Sequence, residues 1–100
     1  LPKISSMETL FELVEKEDIP QFHFPEGEVI KSERERKALE RELSRAIALG
    51  NLEHQKVKIY FEDAQGKKIV NTTIWAITEE AILLKQNVVL PIERIHKIEI

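Results

Sequence analysis

The sequence predicts an α+β fold: N-terminal helices followed by a five-stranded antiparallel small barrel. Three observations predict it. Residues 32–50 keep a helical period between a capping box and a glycine, residues from His54 onward switch to a period of two, and the strands there follow one another with hardly an intervening residue. The whole chain reads as one domain, with an N-terminal helix and extended connector over residues 1–31 and a helix plus small barrel over residues 32–100.

The first helix is expected from about Ser6 to Lys16. Ser5-x-x-Glu8 has the form of a capping box, and Met7, Leu10, Phe11 and Val14 repeat at i, i+3, i+4 and i+7. Glu8, Glu12 and Glu15 then make a solvated face. Asp18-Ile19-Pro20 and Phe24-Pro25-Glu26-Gly27 break regular structure, because each proline disfavours helix in the residue before it. Phe22 and Phe24 alternate with polar neighbours, so this connector is expected to lie extended across something apolar. Ser32-x-x-Glu35 opens the second helix, and Gly50 stands where a C-terminal cap favours left-handed backbone. At about 100° per residue, Leu39, Leu43, Ala46 and Ile47 gather on one side of it.

In the strand region Val57, Ile59 and Phe61 point one way and Lys58, Tyr60 and Glu62 the other. Asp63 to Gly66 supplies a turn. Residues 67–78 read as one strand about twice the usual length, expected to bend and to serve both halves of a barrel. Short strands at Ala81–Lys85 and Val88–Leu90 follow, then a tight turn over Pro91–Arg94 and a last strand from Ile95 to Ile100.

Composition excludes several classes. With 42% hydrophobic and 33% charged residues, the chain is globular in character. No stretch approaches the ~20 apolar residues of a membrane span, Leu1-Pro2-Lys3 lacks the core of a signal peptide, and a cytoplasmic protein with no membrane partner is expected. The absence of cysteine removes disulfides, thiolate chemistry and cysteine metal sites. Net charge is −3, with three lysines against seven acids in residues 1–31 and near balance elsewhere. Nucleic acid would therefore have to be held by a local patch.

Ile74-Trp75-Ala76-Ile77-Thr78-Glu79-Glu80-Ala81-Ile82-Leu83-Leu84-Lys85 resembles the second and third strands of the Sm-like (Hfq-type) small β-barrel family, and Ile95 and Ile98 match apolar positions of its final strand. The resemblance spans residues 55–100 and implies an SH3-like barrel that can close into rings through its edge strands. It departs where that family binds RNA: the Tyr-Lys-His triplet falls on Pro91, Ile92 and Glu93, which neither stack on a base nor neutralise phosphate. The family's strand-two glycine falls on Thr72 and its turn aspartate on Thr78. Uridine recognition in a ring pore is not expected here.

No catalytic signature emerges. His23, His54 and His96 sit in separate segments with no metal-ligand spacing, and with three glycines there is little material for a phosphate-cradling loop. The chain is expected to be no enzyme, with no cofactor and no metal site. His96 reads as an outward-facing histidine of the last strand. Arg34, Lys37, Arg41 and Arg45 fall within roughly 80° of the second helix, the one arrangement suited to phosphate, although a solvated face bordered by Glu33, Glu35, Glu40 and Glu42 is the preferred reading. Trp75 and Tyr60 are the aromatics that could stack on a base, against the usual role of core or interface. The expected function is binding without catalysis, by self-assembly into a homo-oligomer or by protein partners. The alternative is nucleic-acid binding by Arg34, Lys37, Arg41, Arg45 and Trp75.

Overall fold

The apolar run after Gly66 does not continue as one strand, and its interruption organises the molecule. The computed structural model describes residues 10–53 and 56–100. In chain order, β1 (Glu12–Leu13) leads into a 3₁₀ turn (Lys16–Gln21) and α1 (Glu33–Glu53). Then come β2 (Val57–Asp63), β3 (Gly66–Thr72), β4 (Ile74–Ile77), β5 (Ala81–Leu84), β6 (Val88–Pro91) and β7 (Ile95–Glu99). One sheet has the order β1-β3-β2-β7 and the other β4-β5-β6. Thr73 separates β3 from β4, and its carbonyl accepts the Lys85 N–H at 3.2 Å, so the expected long strand serves both sheets through a break.

The expected closed five-stranded barrel is corrected to seven strands in two sheets that do not close. Closure would need β6 to pair with β7. Instead the 3₁₀ turn Ile92–Arg94 swings the chain from one to the other, and Pro91 ends β6 without an N–H to donate. Helix α1 packs on β4 and β7, one strand from each sheet. Its Leu39, Leu43 and Ala46 are buried as expected, in one core with Val57, Ile59, Phe61, Ile74, Ile82, Leu90 and Ile95; the Ile47 side chain lies outside the described residues.

Helix α1 begins where the sequence places it: the Ser32 hydroxyl accepts the Glu35 N–H at 3.4 Å and its carbonyl accepts the Arg36 N–H. It does not end at Gly50 but continues through it to Glu53. A helix through Lys16 is also corrected. Glu12 and Leu13 pair in parallel with Lys68 and Ile69, and residues 16–21 form the 3₁₀ turn. The tertiary reason is Phe11. Its ring packs edge-on against Tyr60 at 5.2 Å and His96 at 5.5 Å, covering the outer face of β2 and β3 and leaving Leu10 65% exposed. Ser5, Met7 and Glu8 lie outside the described residues. The connector does lie across apolar surface: Phe22 and Phe24 approach Phe61 at 6.3 and 6.0 Å, and the His23 carbonyl accepts the Ala64 N–H.

The β2–β3 turn is locked by charge. Asp63 Oδ1 accepts the N–H groups of Gln65 and Gly66 and the Lys68 ammonium, the last at 2.9 Å, and Gly66 holds φ +151°. Burial would raise the Asp63 carboxyl, but the Lys68 ammonium and the two amides outweigh it and hold the group below its ordinary value. Arg94, also buried, donates Nε to the Glu62 carbonyl and Nη1 to the Gly27 carbonyl, stapling the connector to β2.

Candidate binding surface

Alternation along β5 and β6 sends Ile82, Leu84, Val88 and Leu90 into the core and therefore Leu83 and Val89 outward, directly opposite each other. On β4, Ile74 faces Leu84 and Ala76 faces Leu83, so Trp75 is the extra residue of a bulge. The bulge directs Trp75 out of the core, and it stays 46% exposed while Val89 is 56% exposed. The outer face of this sheet consequently presents Trp75, Leu83 and Val89 with no charged side chain on its three strands. Apolar residues clustered in this way, unlike single ones scattered over a surface, mark sites of interaction.

Beside Trp75 lies a cleft of about 330 Å³ that also takes in Lys16, Lys56, Asn71, Lys85 and Gln86. Lys16 donates to Gln86 Oε1 at 2.6 Å and pairs with Glu17 at 2.9 Å. Gln86 and Asn87 turn the chain from β5 to β6 with φ of +66° and +63°, a backbone that glycine tolerates better than glutamine.

The predicted site residues do not converge. Arg34, Lys37, Arg41 and Arg45 are all exposed along α1, Arg45 leaning on Glu42 at 3.5 Å, and none of the four lines the cleft of Trp75. Tyr60, read as a possible exposed stacking aromatic, is instead buried beneath Phe11. His96 does lie outside the core but is half-buried: as the bulged residue of β7 it meets Glu62 Oε1 at 2.9 Å and the Phe11 ring. His54 lies outside the described residues. Among the described residues no three His, Asp or Glu side chains meet as metal ligands would, and no helix is long and apolar enough to cross a membrane.

Sequence reading singles out Trp75 on the outer face of β4–β6, as a possible stacking aromatic, but does not separate Leu83 and Val89 from the inward residues of their strands. The signal was available in Val88-Val89-Leu90, where three consecutive apolar residues on a strand must send one outward. What fold and surface define together is an α+β protein with one long helix over two sheets and an uncharged apolar sheet face. No protein-family model matches the chain, and neither a curated protein nor a solved structure gives a significant match.

Proposed function

We propose that this chain is a non-enzymatic Sm-like small-barrel protein, opened into two sheets, that acts by self-assembly or protein binding through the outer face of β4–β6. The observation that carries the proposal is the patch of Trp75, Leu83 and Val89, on the sheet whose strands β4 and β6 pair only with β5 among the described residues and leave their outer edges open. The barrel reading is supported by the shared β3–β4 strand, the β2–β7 pairing and the single 3₁₀ turn before the last strand. A homo-oligomer places two such faces or edges together and removes both from water.

Light scattering after gel filtration tests it. Wild-type protein elutes as a multiple of 11.6 kDa, and Val89→Asp, which puts a charge on the patch without touching the core, elutes as a monomer with an unchanged circular dichroism spectrum. A monomeric wild type at high concentration refutes self-assembly and leaves a foreign protein as the occupant of the face.

A second reading, nucleic-acid binding, is favoured by one observation: Arg34, Lys37 and Arg41 have no ion-pair partner among the described residues and stand free for phosphate. It requires binding to single-stranded RNA that weakens steeply with salt and falls in an Arg41→Ala, Arg45→Ala variant.

A further inference from the structure

Helix α1, the turn between β4 and β5 and the 3₁₀ turn before β7 enclose a groove of about 700 Å³. Its floor is apolar: half-buried Ala81, Pro91 and Ile92 line it, over Ile30, Leu39 and Leu43, which belong almost wholly to the core. Its rim is acidic. Glu40 stands on the helix, Glu79 and Glu80 on the β4–β5 turn and Glu93 on the 3₁₀ turn, all exposed. Among the described residues the one cation lining it is Arg36, and that guanidinium is already engaged by the Glu28 carboxylate, with Nη1 to Oε1 at 2.9 Å. The other four glutamates have no ion-pair or side-chain hydrogen-bond partner among the described residues.

Four uncompensated carboxylates around one concavity repel one another and raise the local negative potential, in a chain whose net charge is only −3. Glu28 at the groove's edge, and Glu42, Glu62, Asp63 and Glu99 away from it, sit beside cations, whereas exposed acids such as Glu26, Glu33 and Glu35 have no ion-pair partner among the described residues. What sets the four rim glutamates apart is that they converge on one concavity, which gives the groove a complementary ligand: cations to meet the rim, apolar side chains to fill the floor. We infer that the groove is a docking site for a cationic, apolar-anchored peptide segment of a partner protein. The volume lies within the range of pockets that enclose small ligands, and seats a few side chains, not a folded domain. The groove is separate from the patch of Trp75, Leu83 and Val89, and the inference stands whether or not that patch mediates self-assembly.

The test uses the full chain and a fluorescein-labelled Lys-Leu-Lys-Leu-Lys-Leu-Lys peptide, titrated by anisotropy at ~50 mM salt, where exposed charges are only partly screened. A peptide with serine in place of leucine serves as comparator. The key variant combines Glu40→Gln, Glu79→Gln, Glu80→Gln and Glu93→Gln; it loses repulsion and no partner, so it melts no lower than wild type. The Lys/Leu peptide is expected to bind wild type and to bind the variant at least ~10-fold more weakly. The Lys/Ser peptide is expected to lose a comparable factor on wild type, Glu26→Gln, which neutralises an exposed acid off the groove, to leave the affinity unchanged, and the amide resonances of Leu43, Ala81 and Ile92 to shift on titration. Equal affinity for wild type and the quadruple variant overturns the inference. So does equal binding of the two peptides, which is ion exchange on an acidic surface, or a wild-type dimer that the quadruple variant dissolves, which assigns the groove to a second copy.

Discussion

Replacing Lys68 by Met keeps most of the aliphatic stem and removes only the ammonium. The side chains of Lys68 and Asp63 are 7% and 1% exposed, so the ammonium is the principal counter-charge of a carboxylate that water hardly reaches. Removing one member of a buried pair costs about 3–5 kcal/mol. Here Asp63 keeps the N–H groups of Gln65 and Gly66, which reduces the expected loss to about 2–3 kcal/mol, on the scale of one charged hydrogen bond. For a domain of this size that lowers Tm by about 10–20 °C. The loss carries a pH signature. Asp63 titrates below its ordinary value in the folded protein, so the stability it contributes is full above the unfolded carboxyl pKa and disappears as pH falls through the lower folded value. Without Lys68 that contribution is largely gone, so the gap between variant and wild type shrinks as pH falls below the ordinary carboxyl range of about 4. Thermal melts by circular dichroism at pH 7 and pH 3 measure both effects. A Tm loss of the same size at the two pH values, or a loss under about 2 °C at pH 7, refutes the claim that this pair locks the turn.

Other perturbations separate the parts of the fold. Ile74→Asp places a charge in the core next to α1 and is expected to unfold the domain, read as loss of amide dispersion by NMR. Phe11→Ala uncovers Tyr60 and Ile69 and is expected to cost about 3 kcal/mol in urea melts, with faster hydrogen exchange at Val14, whose N–H bonds Ile69. Gln86→Gly relieves a left-handed backbone and raises stability by about 1 kcal/mol despite the lost Lys16 contact, seen as a Tm a few degrees higher.

Periodicity carried most of the strand and helix content into view. Ser32, Leu39, Leu43, Val57, Ile59 and Phe61 obey local rules that their neighbours in sequence do not contest, and they occupy the places those rules assign. Phe11 shows why the N-terminal part could not be read. Met7, Leu10, Phe11 and Val14 satisfy a helical stripe, but Phe11 gains more from the faces of Tyr60 and His96, which lie 49 and 85 positions away in the chain. Barrel closure failed for a similar reason: alternation states which side of a strand is apolar, and says nothing of whether β6 and β7 meet. At the surface, Glu40, Glu79, Glu80 and Glu93 each look like ordinary solvated acids, and only the packing of α1 against the turns makes them one rim.

The pairing of β2 with β7 joins Lys58 to Glu99 across most of the strand region. Until residues 95–99 are available, β2 offers a free edge along Val57–Asp63 and the core lacks Ile95 and Ile98. During synthesis β1, β2 and β3 would wait with an unfinished sheet, exposed to pairing with other chains, and completion requires a long loop to close before most contacts repay it. The same architecture makes truncation hazardous: loss of the last six residues removes an edge strand from one sheet and a wall of the core shared by both.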